Sequence, residues 1–328
     1  MHAAVVDAFH TPPRYRSFPD PQPAGEHQAL VDVLAVGLHP RVRSQADGSH
    51  YTSTDELPLI PGIDGVGRMG DGRLVYFILP DTPLGAMAEQ VVIDTRRSIV
   101  LSSGPGPDEP DPIALAAAMN PGMSSWVALH RRITFLAGQS ILILGATGSA
   151  GQMAVQIARH LGAAHIVAAG RDQERLDGLT ALGADDTVSM LGDAEVVAKR
   201  LGRAAGDVDV VIDYLWGRPA QDAIMPILLN RSDRSRPLSW VQIGSIAGPE
   251  ATVPSVALRS ANFQILGSGQ GSVSTAGILA ELPALAEQIA RGAFTINARS
   301  VPLAQVEQAW TAPIDSNERV VITGVAVR

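Results

Sequence analysis

The sequence of 328 residues contains no cysteine. Disulfide bonds, thiolate metal ligands and a cysteine nucleophile are therefore excluded, and so is a structural zinc site built from four cysteines. An absence of cysteine is compatible with a reducing compartment, and we expect a cytoplasmic protein.

Positive charge is also scarce. Lys and Arg together number 25 against 33 Asp and Glu, which gives a formal net charge of -8. The chain therefore lacks the large cationic field that general nucleic-acid binding requires, and we expect no nucleic-acid partner. A local basic group, formed by Arg231, Arg234 and Arg236, is interpreted as a solvated surface loop.

No apolar run is long enough to cross a membrane. The most apolar stretch, residues 141–158, is broken by glycines and glutamines, whereas a span needs about 20 unbroken apolar residues. The N-terminal segment carries Asp7 and has no basic start followed by an apolar run, so we expect no signal peptide and no membrane association.

What the chain does contain is a β-rich first third followed by alternating strand-like and helix-like segments. Residues 102–112 are rich in Pro and Gly and are interpreted as a connector between the two regions. Regular alternation from residue 139 predicts a parallel sheet with helices on both faces, and hence an α/β fold. The main segments predicted outside this sheet are strands at 3–6, 29–36, 73–79, 87–93 and 319–323, and helices at 113–129 (interrupted at Pro121), 276–291 and 301–310.

The strongest local signal follows the predicted strand at 140–144. Gly145, Gly148 and Gly151 lead from this strand directly into a helix. Gly148 lets the backbone approach a pyrophosphate, and Gly151 lets the helix pack closely on the strand. The spacing differs from the common G-x-G-x-x-G, but the strand–loop–helix context disfavours a glycine turn without a ligand. We therefore predict that a dinucleotide binds at Thr147, Gly148, Ser149, Ala150 and Gly151, where helix N–H groups stabilise the anion.

The end of the next predicted strand bears on the choice between NAD and NADP. An acidic residue there would bind the adenosine ribose hydroxyls, but this strand ends at Gly170 and is followed by Arg171. A guanidinium binds a 2′-phosphate through forked hydrogen bonds, so we predict NADP(H). In the alternative, Arg171 is a solvated residue and Asp172 binds the ribose, although Asp172 is more simply the N-cap of the following helix.

Three segments, taken in order, resemble a known family. They are PGIDGVG at 61–67, NPGMSSW at 120–126 and GATGSAG at 145–151. Together they resemble the zinc-free medium-chain dehydrogenase/reductases, close to NADPH-dependent quinone oxidoreductases, over nearly the whole chain.

The resemblance implies a Rossmann domain with a doubly wound parallel sheet, inserted into a GroES-like β-barrel catalytic domain. We expect residues 1–112 and 265–328 to form the catalytic domain and residues 113–264 to form the NADP-binding domain. It also implies a homodimer formed through the cofactor domain. Further cofactor-binding residues implied by the resemblance are Asn120, Ser124, Leu215, Gly244, Ser245, Ile246, Gly267, Ser268 and Gly269.

The sequence disfavours a catalytic metal. Zinc-dependent relatives carry Gly-His-Glu where this chain has Gly62, Ile63 and Asp64, and an isoleucine cannot ligate zinc. A quinone or enone is already electrophilic, so hydride transfer from the reduced nicotinamide followed by protonation is sufficient. His39 and Tyr51 are the candidate groups that assist at the substrate oxygen, and the alternatives are a helix-start residue and a packing aromatic.

We therefore predict a zinc-independent, NADPH-dependent oxidoreductase that acts on a quinone or an α,β-unsaturated carbonyl. One alternative is an NADP-dependent alcohol or aldehyde reductase on the same scaffold, with His39 as the proton donor. Another is a protein that binds NADPH without catalysis.

Overall fold

A computed structural model describes residues 1–49, 53–54, 56–313 and 318–324. The strands are β1 His2–Val5, β2 Arg14–Ser17, β3 Gln28–Gly37, β4 Asp64–Met69, β5 Leu74–Ile78, β6 Gln90–Asp94, β7 Ser98–Ser102, β8 Ser140–Leu144, β9 His165–Gly170, β10 Asp186–Ser189, β11 Val210–Asp213, β12 Leu238–Gln242, β13 Phe263–Gly267, β14 Ala298–Pro302 and β15 Arg319–Thr323. The helices are α1 Pro40–Ala46, α2 Pro112–Val127, α3 Ser149–His160, α4 Gln173–Leu179, α5 Ala194–Ala205, α6 Gly217–Leu229, α7 Ala257–Ser260, α8 Thr275–Ala290 and α9 Val306–Thr311.

The chain divides into two compact units. The first comprises Met1–Asn120 together with the described residues from Leu282 onward, and the second comprises Pro121–Glu281. The first therefore combines segments from both ends of the sequence.

The first unit is built on β-sheet. Its larger sheet has the order β14-β15-β3-β4-β5-β7, with β6 also paired to β3, and β1 and β2 form a second, two-stranded sheet. Most of the pairings are antiparallel, whereas β14 and β15 are parallel. Buried side chains from β1, β3, β5, β6 and α9 form one core.

The second unit contains the predicted doubly wound parallel sheet. Six strands have the order β10-β9-β8-β11-β12-β13, and every pairing is parallel. Four successive residues of β8, Ile141–Leu144, are each 0% exposed. Because successive side chains in a strand point to opposite faces, both faces of this strand are covered. The α/β fold class predicted from the alternating segments is confirmed.

Some local predictions were wrong. The segment at 301–310 is not one helix, because Ala298–Pro302 pairs with Arg319–Thr323 as β14 and the helix α9 begins only at Val306. Pro121 does not interrupt α2, which runs from Pro112 to Val127 and is followed by a π-helical turn at Ala128–Arg132. In both regions tertiary packing outweighs local propensity.

Candidate functional site

The order of strands reverses between β8 and β11. After β8 the chain forms β9 and then β10, which extend the sheet on one side of β8. It then returns to form β11 on the other side of β8. Dinucleotides bind at such a switch point, outside the carboxyl ends of the strands. Most of the predicted cofactor residues follow those ends, namely Thr147–Gly151 after β8, Gly170 and Arg171 at the end of β9, Leu215 after β11, Gly244–Ile246 after β12, and Gly267–Gly269 at the end of β13.

Backbone hydrogen bonds connect these strand ends from one side of the sheet to the other. The N–H of Gly145 donates to Ala169 O at 2.9 Å, and the N–H of Tyr214 donates to Leu144 O at 3.1 Å. The N–H of Gly244 donates to Asp213 O at 3.1 Å, and that of Ser268 donates to Gln242 O at 2.8 Å. The five loops therefore form one connected edge.

The glycine loop has the geometry that its sequence predicts. Gly145 has φ +86°, a conformation that favours glycine. A Cβ at Gly151 would lie 2.5 Å from Ala146 Cα, so the helix packs against the loop backbone. A Cβ at Gly148 would meet only Gly145 O, at 3.7 Å, so space remains beside Gly148.

The first turn of α3 fits a phosphate. Gly148 is the N-cap of this helix of 12 residues and supplies no side chain to bond the N–H groups of the first turn. No acidic residue lies in that turn, and Gly148 is exposed. The free N–H groups and the helix dipole therefore remain available to an anion from solvent.

Two arginines lie beside the end of β9. Arg171 is exposed. Arg175 reaches back from α4, and its guanidinium donates to Thr147 O at 3.4 Å and pairs with Asp172 at 3.0 Å. Asp172 is the N-cap of α4, as predicted, and its carboxylate accepts the N–H of Arg175. The sequence prediction missed Arg175, although its position one helical turn after Arg171 was a usable signal.

The loop after β11 is held by a buried carboxylate. Asp213 Oδ1 accepts the N–H groups of Leu215 at 2.8 Å and Trp216 at 2.9 Å. Trp216 has φ +50°, which is a strained conformation for a residue other than glycine. Burial raises the pKa of Asp213, although the hydrogen bonds it accepts oppose that shift. The carboxylate thus fixes the loop that carries Leu215.

The loop after β13 is also tied down. The Arg132 guanidinium donates to Gly267 O at 2.7 Å and to Ser272 O at 3.2 Å. This contact holds both ends of the segment that contains Ser268 and Gly269. The loop after β12 is more open, and Ile246 is 79% exposed.

Ser124 lies at the same edge of the sheet. Its hydroxyl is 2.9 Å from the hydroxyl of Tyr214, the residue that follows β11. Asn120 belongs to the first unit, where its side chain donates to Asp64 Oδ2 at 3.2 Å.

A second polar cluster lies in the first unit and centres on Asp64. His39 Nε2 is 3.3 Å from Asp64 Oδ1, and the Tyr76 hydroxyl donates to Oδ2 at 2.5 Å. All three residues are buried. His39 is the N-cap of α1, but its side chain makes no capping hydrogen bond and bonds to Asp64 instead. Sequence reasoning missed the roles of Asp64 and Tyr76 because their partners are far away in the chain.

Burial governs the protonation of this cluster. It lowers the pKa of His39 below its usual range, against the opposing effect of Asp64. Burial would by itself raise the pKa of Asp64, but hydrogen bonds led by the one from His39 outweigh it and hold that pKa below its usual range. The cluster therefore holds a carboxylate beside a neutral imidazole at neutral pH.

Some candidates lie elsewhere. Tyr51 falls outside the described residues. Arg231 is buried and donates to Gly206 O and Val208 O, so the prediction that it is part of a solvated loop was wrong. Arg236 pairs with Asp209. In the part of the chain that the structure describes, no three His, Asp or Glu side chains are grouped closely enough to hold a metal ion.

The described helices include none with the length and apolar character needed to span a bilayer.

A doubly wound sheet with a glycine loop at its switch point defines a dinucleotide-binding protein, and comparisons with known proteins specify the family. The zinc-binding dehydrogenase family matches residues 150–228. A probable NADPH-dependent quinone reductase of Emericella nidulans is 32% identical, over 98% of this chain and 99% of the relative. An NADPH-dependent alkenal/one oxidoreductase of Arabidopsis thaliana is 28% identical over 49% of this chain and 44% of its own length.

Solved structures agree. The quinone oxidoreductase of Thermus thermophilus, whose complex with NADPH has also been determined, superposes with a TM-score of 0.79 at 26% identity. The match covers 98% of this chain and 100% of that one. The chain belongs to the medium-chain dehydrogenase/reductase family and is similar to its quinone oxidoreductases.

Proposed function

We propose that this protein is a metal-independent reductase that uses NADPH to reduce a quinone or an α,β-unsaturated carbonyl compound. The observation that carries the proposal is the uncapped start of α3 at the switch point of the sheet, which fits the diphosphate of a dinucleotide. The names of the relatives from Emericella nidulans and Arabidopsis thaliana, which combine NADPH with quinone or alkenal/one reduction, support the choice of cofactor and substrate class.

The residues of the glycine loop would hold the cofactor. The N–H groups of Ser149, Ala150 and Gly151 would bind the diphosphate, and Arg171 and Arg175 would bind the 2′-phosphate of NADPH. The remaining strand-end loops, at Leu215, Gly244–Ile246 and Gly267–Gly269, would line the rest of the dinucleotide. When bound, NADPH supplies the hydride, and the protein orients the two reactants and excludes water.

His39 is the proposed group that assists at the substrate oxygen. Asp64 holds one ring nitrogen and so fixes the orientation and tautomer of the imidazole. Because burial lowers the pKa of His39, the charged form needed to donate a proton is favoured only at lower pH. The role of Tyr51 stays a prediction, as does the assignment of residues 1–112 and 265–328 to a catalytic domain.

The same cluster supports a second candidate, reduction of simple ketones or aldehydes. A saturated carbonyl yields an alkoxide that must be protonated, and His39, paired with Asp64, can donate that proton when its imidazole is in the charged form. Rapid turnover of simple ketones that is insensitive to chelators, with no turnover of quinones, would favour this candidate.

We also propose a cytoplasmic homodimer. The parallel sheet ends at β13, whose outer edge is not paired with another described strand. An unpaired edge is a template for a second copy of the chain, which would join the two sheets. Sedimentation analysis should give twice the chain mass of 34.4 kDa.

The turnover experiment mixes purified protein and NADPH with a panel of quinones, enones and simple ketones, and follows loss of the absorbance of the reduced nicotinamide. We expect turnover of quinones or enones that persists after treatment with a chelator. Turnover of none of the panel would refute the substrate assignment, and loss of activity on chelation would refute the metal-independent mechanism.

A further inference from the structure

Tyr214 was not predicted from the sequence to belong to the candidate cofactor site, but it contacts several parts of that site. It is the first residue after β11, and its backbone N–H donates to Leu144 O at the end of β8. A Cβ at Gly145 would lie 3.3 Å from Tyr214 Cβ, and one at Gly244 would lie 2.7 Å from Tyr214 O. Tyr214 is therefore packed between the glycine loop and the loop after β12.

The hydroxyl of Tyr214 extends this contact to α2. It lies 2.9 Å from Ser124 Oγ, and Ser124 Oγ in turn donates to Pro121 O at 2.8 Å. A serine hydroxyl has one hydrogen, which is already used in the bond to Pro121 O. The phenol must therefore be the donor, and Ser124 Oγ the acceptor.

Burial keeps the Tyr214 phenol protonated. It raises the pKa of Tyr214 to about 12, although hydrogen bonding to Ser124 and Ser125 opposes the shift. The phenol consequently keeps its proton throughout the neutral range. Ser124 Oγ has two lone pairs, of which Tyr214 occupies one, so it can present the other to a ligand.

We propose that Tyr214 is a positioning residue of the cofactor site, whose hydroxyl holds Ser124 as a hydrogen-bond acceptor for the dinucleotide. This inference rests on the proposed function and specifies that Ser124 accepts, and does not donate, the hydrogen bond to the cofactor. The complementary group on the ligand is an N–H or O–H donor, such as the carboxamide NH₂ of the nicotinamide. Ser124, with its proton bonded to Pro121 O, does not protonate the substrate.

The test is a double-mutant cycle on cofactor binding. Calorimetry or fluorescence titration gives the Kd for NADPH and for NADH of the wild type, Tyr214→Phe, Ser124→Ala and the double variant. We expect each single variant to raise both Kd values about fivefold, which is the typical effect of one hydrogen bond. The Kd of the double variant should not exceed the higher of the two single-variant Kd values, because both changes remove the same interaction.

Controls separate this role from a structural one. Ser124→Thr keeps the hydroxyl and should retain the wild-type Kd. Tyr15→Phe, in the first unit, should leave Kd unchanged, and thermal unfolding of each variant monitors the fold. For Ser124→Ala we expect a higher KM for NADPH with the pH profile of kcat unaltered, whereas a proton donor would show a lower kcat with an altered profile.

The outcomes distinguish two failures. If the wild type binds neither NADPH nor NADH, the proposed function is wrong, and this role falls with it. If the wild type binds but the two single variants have additive effects, or Ser124→Ala lowers kcat without changing Kd, then the role of Tyr214 alone is refuted.

Discussion

The buried carboxylate of Asp213 accepts the indole N–H of Trp240 at 2.9 Å through Oδ2, while Oδ1 accepts two backbone N–H groups of the loop after β11. One side chain thus joins β12 to the strained loop beside the candidate cofactor site. Its three partners are all donors, so a carboxylate suits the position and an amide does not.

Replacement of Asp213 by Asn should therefore destabilise the protein. The amide NH₂ would face the indole N–H of Trp240, and we expect a loss of about 1–3 kcal/mol in the free energy of unfolding. Denaturant unfolding measures it. In a Trp240→Phe background the donor is absent, and the additional cost of Asp213→Asn should shrink. An equal cost in both backgrounds would contradict this account.

Two glycines of the loop should respond differently to substitution. In Gly151→Ala the new Cβ meets backbone at Ala146, so we expect a loss of about 1–3 kcal/mol in stability. Gly148 has φ -81° and open space around it, and Asp is a favoured N-cap residue. Gly148→Asp should keep the wild-type unfolding temperature but lose NADPH binding, because its carboxylate repels phosphate.

The pair is measured by thermal unfolding and by NADPH titration. Tight NADPH binding by a folded Gly148→Asp variant would show that the diphosphate does not bind at the start of α3.

The preference for NADPH should depend on the arginines after β9. We expect Arg171→Ala to weaken NADPH about tenfold or more and NADH little, because a charge-assisted bond to the 2′-phosphate is lost. Arg175→Ala should also weaken NADPH. It should affect NADH as well, because Arg175 supports Thr147 O of the glycine loop. Titrations with both nucleotides decide the matter, and equal losses for Arg171→Ala would count against the assignment.

His39 should make stability depend on pH in a defined direction. Its folded-state pKa lies below the ordinary value of 6.5. Between these two values the unfolded chain binds a proton that the folded protein does not, so stability falls as pH decreases through 6.5. His39→Asn should flatten the dependence of unfolding free energy between about pH 7.5 and about pH 5.5. If the slope is unchanged in His39→Asn, His39 does not cause the pH dependence of the unfolding free energy.

The protonation of His39 should also affect the pH dependence of kcat. If His39 donates the proton, kcat of the wild type rises as pH falls toward the lowered pKa of His39. His39→Asn should lower kcat and remove that rise. A pH profile of kcat identical to that of the wild type would exclude His39 as the proton donor.

Local sequence patterns predicted the parallel sheet because the apolar residues of a predicted strand or helix recur with the period of that element. The strand β4 escaped prediction because it contains Gly65 and Gly67, which weaken strand propensity. The reason for Gly67 lies in the partner strand, where a Cβ would come 2.6 Å from Asp32 O. Such a constraint is visible only when the neighbouring backbone is present.

The sequence alone determined the glycine loop and the helix that follows it, because strand, turn and helix are consecutive and their geometry depends on residues a few positions apart. Tertiary structure decided which distant side chains meet. Ser124 and Tyr214 are 90 positions apart, and Asp64 and Asn120 are 56 apart. Their contacts follow from strand order and helix packing, which depend on how the whole core is filled and not on any local pattern.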